Sequence, residues 1–192
     1  MRQNLARRSA LVDAAIEVLA SDGARGLTFR AVDAEAAVPK GTASNYFTSR
    51  DELLNQVGHR IYERLIPDEA TAAGLFAGPN TRERTAELAR QVVERVTAFR
   101  TGFLALLELR LEATRRPELR AVLTARVVKD VEANVEGHLA SGLPGDADAV
   151  KMLYLAANWL VVERLTLPGV FSEEEAARLI GDMVERVLPS GP

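Results

Sequence analysis

The stretch of sequence that decides the fold is Val38–Leu54, which reads VPKGTASNYFTSRDELL. Its first four residues form a tight break, since they include a proline and a glycine, and a short helix is predicted over Thr42–Phe47. Ser49 and Glu52 have the spacing of a capping box, in which Ser49 caps the next helix and Glu52 reaches back. The stretch therefore predicts a turn, a short helix and the start of a longer helix.

Helical periodicity continues on both sides of this stretch. Apolar residues recur every three or four positions in Leu5–Leu19, and Gly23 is expected to end that helix. Thr28 is a good N-cap for a second helix that runs to about Ala37, and the fourth helix stops at Pro67. Further helices are predicted over 81–100, 102–115, 117–140, 146–167 and 172–188. No pattern of period two competes with these helices, so the predicted fold class is all-α.

Composition removes most enzyme chemistries from consideration. The chain of 192 residues is 47% hydrophobic and has no cysteine, which excludes thiolate metal sites and a cysteine nucleophile. It has only two histidines, His59 and His138, and no glycine-rich phosphate loop. No apolar run reaches the roughly 18 residues of a membrane helix, and no signal peptide opens the sequence. We therefore expect a cytoplasmic protein that is not an enzyme and has no cofactor, metal site or membrane segment.

Charge is divided unevenly along the chain. Residues 1–50 contain seven Lys or Arg residues against five acids, whereas the whole chain has a formal net charge of −3. Such an asymmetry arises by chance in many proteins. It is also the pattern of a small basic head that meets a polyanion, attached to an acidic body that does not.

Three short helices in the first 47 residues, the last two joined by a four-residue turn, form a helix-turn-helix arrangement. Such a unit places its second helix in the major groove of DNA. Gly41 has no side chain, so backbone can approach DNA closely at that point. Tyr46 and Arg50 are suited to phosphate contacts, and Arg30 to the edge of a guanine. Hydrogen-bonding side chains crowd the short helix at Thr42, Ser44, Asn45 and Tyr46.

Gly26–Arg30 and Val38–Leu54 together resemble the DNA-binding segment of the TetR family. Those proteins are one-component transcriptional regulators similar to the tetracycline repressor, and the resemblance covers roughly residues 8–60. It implies an all-helical homodimer, usually a repressor, that a small molecule releases from a palindromic operator. It also implies a helix-turn-helix DNA-binding domain over residues 1–50 and an effector-binding and dimerisation domain over residues 51–192.

The resemblance also implies which residues touch DNA. Thr28 and Arg30 lie where the second helix contacts phosphate and base, and Tyr46 and Arg50 lie at phosphate-contact positions. Ser44 stands where the family commonly has tyrosine, a departure that leaves the operator sequence open. The implied DNA-binding set is Thr28, Arg30, Lys40, Gly41, Thr42, Asn45, Tyr46 and Arg50.

Other residues of the head have simpler expected roles. Arg7 and Arg8 could contact phosphates from an arm before the first helix, or form part of a solvated tail. The apolar residues expected to pack the core of the head are Leu27, Phe29, Val32, Val38 and Phe47.

The helix predicted over 146–167 carries two apolar stripes. One contains Val150, Leu153, Tyr154, Ala157, Leu160 and Val161, and the other contains Met152, Leu155, Trp159 and Val162. A helix that is apolar on two faces is buried on two faces, and one of them needs a partner chain. The helix over 172–188 has a similar composition, and the family dimerises through its last two long helices. We therefore expect a homodimer that forms through the last two helices.

The sequence gives less information about the ligand site. Glu108, Arg110 and Glu112 interrupt an apolar helix and cannot all face one side. Arg110 and Asn158 could orient a small apolar or amphipathic effector in an otherwise apolar pocket. Alternatively, Glu108 and Glu112 form an exposed face and Arg110 pairs with an acid, while the aromatic residues belong to the core. The candidate ligand-binding set is Phe99, Phe103, Leu107, Arg110, Tyr154, Asn158 and Trp159.

The sequence favours a ligand-responsive, dimeric transcriptional regulator whose partners are double-stranded operator DNA and an unknown small molecule. One alternative is an all-α enzyme that uses Glu108 and Glu112, but no base, metal or cofactor motif supports it. Another is a helical interaction or ligand-binding protein that has lost sequence-specific DNA binding. Its mark would be acidic or missing residues over 28–50, where the chain instead has Arg30, Lys40 and Arg50. The operator, the effector, the regulated genes, the direction of control and the number of dimers per operator stay open.

Overall fold

The structure is a computed structural model that describes residues 4–67 and 78–188. Every regular element in those ranges is an α-helix, which confirms the predicted fold class. The helices are α1 Leu5–Gly26, α2 Phe29–Glu35, α3 Thr42–Tyr46, α4 Arg50–Leu65, α5 Arg82–Ala98, α6 Arg100–Ala113, α7 Pro117–Ala140, α8 Ala147–Thr166 and α9 Glu173–Val187. No helix in those ranges is both long and apolar enough to cross a membrane. The sequence also predicts a loop after the fourth helix that contains Gly74, and this residue falls outside the described residues.

The chain forms two compact units. The first contains α1 to α4, α6 and the start of α7 up to Arg126. The second contains α5, the rest of α7 from Val127 onwards, α8 and α9. The predicted functional boundary at about residue 50 is a different division of the chain, and it stays a prediction.

The core of the first unit lies where α1 packs against α2, α4 and α6. Fully buried leucine and isoleucine side chains fill it from α1, α4 and α6: Leu11, Ile16, Leu19, Leu53, Leu54, Ile61 and Leu109. Three of the five residues expected in the core of the head are buried there, namely Leu27, Val32 and Phe47. Phe29 and Val38 are only half-buried.

The first helix continues past its predicted end. Gly23 does have the expected positive φ, 68°, but it forms a kink rather than a terminus, and helix resumes to Gly26. The reason is tertiary, because the backbone N–H of Ala24 donates to the carboxylate of Glu108 at 2.9 Å. An acceptor from another helix thus replaces the hydrogen bond that the kink breaks.

The connection between α2 and α3 is longer than predicted, because α2 ends at Glu35 and six residues precede α3. Ala37 adopts a positive φ of 50°, which stops the helix. The N–H of Val38 then donates to the carbonyl of Asp33 at 3.0 Å, and Pro39 has no N–H with which to continue a helix.

The predicted capping box at the start of α4 is half correct. Ser49 Oγ accepts from the N–H of Glu52 at 3.1 Å, as expected of an N-cap. The Glu52 carboxylate, however, does not reach back to Ser49. It accepts instead from the N–H and the hydroxyl of Thr48, both at 2.7 Å, because Arg8 holds its other oxygen.

The second unit has a small core between α5, α8 and α9, formed by Ala86, Ala149, Leu153, Val184 and Leu188. One predicted stripe of α8 faces inward: Val150, Leu153, Leu160 and Val161 are buried, and Tyr154 and Ala157 are half-buried. In the other stripe, Met152, Leu155 and Trp159 are exposed by 50%, 67% and 64% respectively, and Val162 is half-buried. No described residue therefore covers most of the second stripe, and its burial by a partner chain stays a prediction.

Candidate nucleic-acid interface

The short helix α3 turns a polar face outward from the first unit. Ala43 is fully buried, and Phe47, directly after the helix, is 1% exposed. Lys40, Ser44 and Asn45 are exposed. Two buried apolar residues thus fix which side of this five-residue helix faces solvent. The hydrogen-bonding side chains on that side make no tertiary contacts that would have to break before they bind a partner.

Asp33 holds the start of α3 in place. Its carboxylate is 2% exposed and accepts from the N–H of Gly41 and the N–H of Ala43, each at 2.7 Å. Helix N-termini leave several N–H groups without acceptors, and a carboxylate there also interacts favourably with the helix dipole. Asp33 therefore links α2 rigidly to α3, and it was missed by the sequence prediction.

Gly41 has a conformational reason to be glycine. Its φ is 88°, in the left-handed region that side chains disfavour, and it is the N-cap of α3. A Cβ there would meet no atom closer than Ser44 Oγ at 4.0 Å. Space is therefore available on this side of the turn, as close approach of DNA backbone requires. Thr42, next along the chain, donates its hydroxyl to the carbonyl of Pro39 at 2.5 Å.

The predicted contacts from α2 lie on its exposed first turn. Thr28 caps the helix, since its Oγ1 accepts from the N–H of Ala31 at 3.1 Å. Arg30 is exposed, as is Lys40 on the turn before α3. Neither Arg30 nor Lys40 forms an ion pair with any described residue, so both cations remain available to a polyanion.

Arg8 is neither in an arm nor in a solvated tail, so both sequence hypotheses for it are wrong. It lies in α1, where Nη1 donates to the carbonyl of Tyr46 at 2.6 Å and Nη2 bonds to Glu52 at 2.7 Å. Its guanidinium also stacks 4.6 Å from the centre of the Phe47 ring. Arg8 therefore fastens the end of α3 to α1 and α4. Arg7, by contrast, is exposed.

The same cluster stabilises the ionised form of Glu52. Hydrogen bonds from the backbone of Thr48, from Arg8 and from the Thr48 hydroxyl lower the pKa of Glu52 from 4.5 to about 2. Each donor prefers the carboxylate to the neutral acid, and burial opposes them only weakly. The ionised carboxylate of Glu52 therefore helps to hold the segment around Tyr46, which is half-buried.

Arg50 also makes an intramolecular contact. Its Nη2 donates to the carbonyl of Ala24, and its buried Nε has no hydrogen-bond partner. Ala24 is therefore gripped from two sides, by Arg50 through its carbonyl and by Glu108 through its N–H. The structure gives Arg50 a role in fixing α4 to α1, and its predicted phosphate contact remains a prediction.

The residues of the predicted ligand set lie in both compact units. In the first unit Phe103 is buried, Phe99 and Leu107 are half-buried and Arg110 is exposed. In the second unit Tyr154 and Asn158 are half-buried and Trp159 is exposed, and Asn158 Nδ2 donates to the carbonyl of Tyr154 at 2.8 Å. Their part in ligand binding stays a prediction.

The alternative in which Glu108 and Glu112 form an exposed face is wrong. Glu112 is 8% exposed and accepts from Arg115 at 2.7 Å and Arg116 at 2.9 Å. Those two hydrogen bonds lower the pKa of the Glu112 carboxyl. Glu108 is committed to Ala24, as described above. Among the described residues, moreover, no group of three His, Asp or Glu side chains is arranged to hold a metal ion.

Comparison with known families places this geometry in context. The family described as bacterial regulatory proteins, tetR family, matches residues 11–57, the segment that contains the helix-turn-helix. A tetracyclin repressor-like C-terminal domain matches residues 80–190, more than half of the chain. The chain belongs to the TetR family.

Individual TetR-family relatives match along most of the chain. Over 186 residues it is 34% identical to the HTH-type transcriptional regulator BetI of Rhizobium meliloti (strain 1021), covering 95% of this chain and 89% of BetI. A shorter match, 31% identical, covers 48% of this chain and 46% of an uncharacterized HTH-type transcriptional regulator of Xanthobacter autotrophicus. The chain thus spans less than half of that second relative but nearly all of the first.

A solved structure extends the similarity to a ligand-binding protein. The multidrug binding protein EbrR, complexed with imidazole, is 28% identical with a TM-score of 0.67, and the match covers 97% of each chain. EbrR has also been crystallised with ethidium and with proflavin. TetR-family proteins bind operator DNA and small molecules, typically as dimers, and this chain is a transcriptional regulator of that family.

Sequence reasoning missed how two acids shape this TetR-family head: it did not single out Asp33, and it considered Glu108 only as an exposed or catalytic acid. Asp33 had a local signal, because an acid in the last turn of a helix opposes the dipole of its own helix. Such a residue suggests an acceptor for a neighbouring N-terminus. Glu108 had no comparable signal, since the N–H that it binds lies 84 positions away in the sequence.

Proposed function

We propose that this TetR-family regulator is a cytoplasmic repressor that binds a palindromic operator as a homodimer and is released by a small molecule. Binding of the effector shifts the equilibrium between a DNA-binding state and a state of low operator affinity, because it binds the second state more tightly. The DNA-binding function resides in residues 1–50, and effector binding and dimerisation reside in residues 51–192.

The observation that carries the proposal is the outward polar face of α3. Lys40, Ser44 and Asn45 are exposed there, while Asp33 anchors the helix from within. A recognition helix must present its side chains to base edges without first breaking internal contacts. An adjacent exposed arginine, Arg30, suits the O6 and N7 atoms of guanine.

The remaining predicted contacts supply affinity rather than base reading. Thr28 and Tyr46 carry hydroxyl groups that can donate to phosphate oxygens, the Thr42 hydroxyl can do so once it releases the carbonyl of Pro39, and Lys40 supplies a point charge. Gly41 allows the backbone of the turn to approach the DNA strand. Arg50 contributes chiefly through its hold on the carbonyl of Ala24, which fixes α4 to α1.

Dimerisation is supported by the uncovered stripe of α8. Met152, Leu155 and Trp159 form a contiguous apolar surface at helical spacing, and large exposed apolar surfaces mark interaction sites. A second copy of the chain covers it through α8 and α9, which gives an isologous interface with two-fold symmetry. The same symmetry in the operator follows from two equivalent heads.

The direct test is selection of duplex DNA from a random library by the purified full-length protein. We expect enrichment of a palindrome whose half-sites are one helical turn or more apart. Affinity for the selected duplex and for a scrambled one is then measured at two salt concentrations. Weak binding that ignores sequence and depends steeply on salt would contradict the proposal.

Matched variants separate contacts to phosphate from contacts to bases. Lys40→Ala should reduce the slope of log K against log salt by about 0.9, as expected for one lost phosphate contact, whereas Lys129→Ala should leave it unchanged. Asn45→Ala should lose about 1–3 kcal/mol of discrimination at one base position, and Asn134→Ala should lose none. Lys129 and Asn134 are exposed residues of α7 and serve as controls. Equal effects in both members of a pair would argue against this interface.

A further inference from the structure

One half-buried cation of the second unit has no partner among the described residues. Arg95 lies in the last turn of α5 and is half-buried, and its Nε is shielded from solvent without a hydrogen-bond partner. No hydrogen bond, ion pair or ring contact joins it to any described residue. Two arginines of the same helix do have partners, since Arg82 donates to the carbonyl of Leu188 at 2.6 Å and Arg90 pairs with Glu87 at 3.1 Å.

Arg95 does not lie on the face of α5 that packs the core. It follows the fully buried Val93 by two positions, which is about 200° around the helix. Leu88 and Val92, at seven and three positions before it, share its side, and both are half-buried apolar residues. A guanidinium therefore stands at one end of a partly sheltered apolar strip.

The nearby acids of the helix do not neutralise it. Glu87 is occupied by Arg90 and by Gln91, whose Nε2 donates to it at 2.9 Å. Glu94 points into solvent. Burial lowers the pKa of Arg95, and no charge or hydrogen bond opposes that effect. The carbonyls at the end of α5 offset only part of the cost of burial, because the dipole of a helix terminus acts like half a charge.

A half-buried cation whose Nε has no hydrogen-bond partner loses solvation without compensation, and a missing ligand or ion is one explanation of such a group. The planar guanidinium matches a carboxylate in charge and geometry. Of the polar groups predicted to orient a ligand, Arg110 is exposed and the Asn158 amide nitrogen already donates to Tyr154. Neither is placed as Arg95 is to bind an acid away from water.

We propose that Arg95 anchors the acid group of the effector and that the effector is an amphipathic carboxylate whose apolar part lies along Leu88 and Val92. This inference rests on the proposed function, because it assigns a chemical class to the effector of that function.

The test uses full-length protein without DNA and two matched ligand sets, measured by calorimetry. One set is 2-naphthoate, 2-naphthamide and 2-naphthylmethylammonium, and the other is octanoate, octanamide and octylammonium. We expect a carboxylate to bind and its amide and ammonium analogues to bind at least tenfold more weakly. Failure of both carboxylates to bind at millimolar concentration, or equal binding of the amides, would overturn the proposal.

Variants then locate the anchor. Arg95→Met should weaken carboxylate binding by about tenfold to a hundredfold, the loss expected for a hydrogen bond to a charged group. Arg95→Lys, which keeps the charge but not the planar guanidinium, should bind with intermediate affinity, and Arg90→Met should match the wild type. Undiminished carboxylate binding by Arg95→Met would refute the assignment.

A stability measurement distinguishes an anchor from a structural arginine. Without ligand, Arg95→Met should melt at the same temperature as the wild type or higher, since it removes an unpaired buried charge. A melting temperature well below that of Arg90→Met would show that Arg95 is structural and overturn the proposal. Operator binding is measured separately. A protein that binds its operator but no carboxylate refutes only this inference, and one that binds carboxylates through Arg95 but no operator refutes only the proposed function.

Discussion

The carboxylate of Glu108 in α6 accepts a hydrogen bond from the backbone N–H of Ala24 in α1, at 2.9 Å. Ala24 is 6% exposed and follows the kink at Gly23, and its carbonyl accepts from Arg50 at the start of α4. Four residues later, Thr28 begins α2. The backbone of one residue before the helix-turn-helix, Ala24, is therefore held by both α4 and α6, which ties the orientation of α2 and α3 to those helices.

Removing the Glu108 carboxylate should destabilise the protein. Glu108→Ala leaves the buried N–H of Ala24 without an acceptor, which should cost about 1–3 kcal/mol of unfolding free energy. Glu108→Gln keeps an acceptor oxygen and should cost less. Urea denaturation measures both, with Glu94→Ala, at an exposed position of α5, as the control. If the two alanine variants were equally stable, the hydrogen bond would have no energetic role.

Asp33 should matter to both stability and DNA binding. Asp33→Asn retains one acceptor oxygen for two N–H donors and should lower the unfolding free energy by about 1–3 kcal/mol. It should also weaken operator binding, because α3 loses the bond that sets its angle to α2. Denaturation and operator titration measure these effects, with the exposed Asp22→Asn as control. Normal operator affinity in Asp33→Asn would show that Phe47 and Ala43 suffice to place the helix.

Acid should loosen the joint between α1, α3 and α4. The pKa of Glu52 is about 2 in the folded protein and its ordinary value is 4.5, so its stabilising effect is full above pH 4.5 and is lost as the pH falls towards 2. The side chain is 30% exposed, and solvent screening limits the effect to about 1–2 kcal/mol.

Glu52→Gln should therefore be less stable than the wild type at pH 7 but nearly equal to it near pH 2. The measurement is a series of urea denaturation curves across that range, and the exposed Glu35→Gln provides the control. A stability difference that persists unchanged at low pH would mean that shape rather than charge makes Glu52 important.

The uncovered stripe of α8 should control assembly. Leu155→Glu places a charge at the centre of the proposed interface and should weaken dimerisation by roughly 30-fold or more. The same change at Leu167, which is 59% exposed beyond the end of α8, should have little effect. Sedimentation velocity over a range of concentrations distinguishes the two. A Leu155→Glu protein that remained dimeric would place the interface elsewhere.

Trp159 provides a second readout of assembly, since it is the only tryptophan of the chain. Its side chain is 64% exposed in a single copy. Burial in an interface should shift its emission to shorter wavelength as the protein concentration rises. An emission maximum that does not change while the protein dimerises would show that Trp159 lies outside the interface.

Much of the fold could be predicted because helices depend on nearby residues. Ser49 and Thr28 were recognisable as N-caps, since a cap bonds an N–H only three residues away. The two stripes of α8 followed from apolar spacing alone. Errors occurred where a distant group intervened, as at Gly23, where the acceptor from α6 lets the helix resume.

The candidate interface could likewise be predicted where nearby residues decide the structure and not where distant groups do. Exposure of Lys40 and Asn45 agreed with the sequence, because polar side chains on a short amphipathic helix face solvent. The bonds of Arg8 and Arg50 to backbone carbonyls of the first unit were not predicted, and the phosphate contact expected of Arg50 stays a prediction. A sequence shows that an arginine is present but not which acceptor lies within its reach.

By itself, then, the sequence determined the all-α class, the helix-turn-helix and the TetR-type motif, since periodicity, caps and motif residues are written within a few positions of one another. Only the tertiary structure decided that Asp33 anchors α3, that Glu108 holds the kink of α1 and that the Nε of Arg95 is buried without a hydrogen-bond partner. The physical reason is that the free energy of a charged side chain depends on the charges, hydrogen-bonding groups and solvent around it. Those surroundings are assembled by packing between helices that lie far apart in the chain.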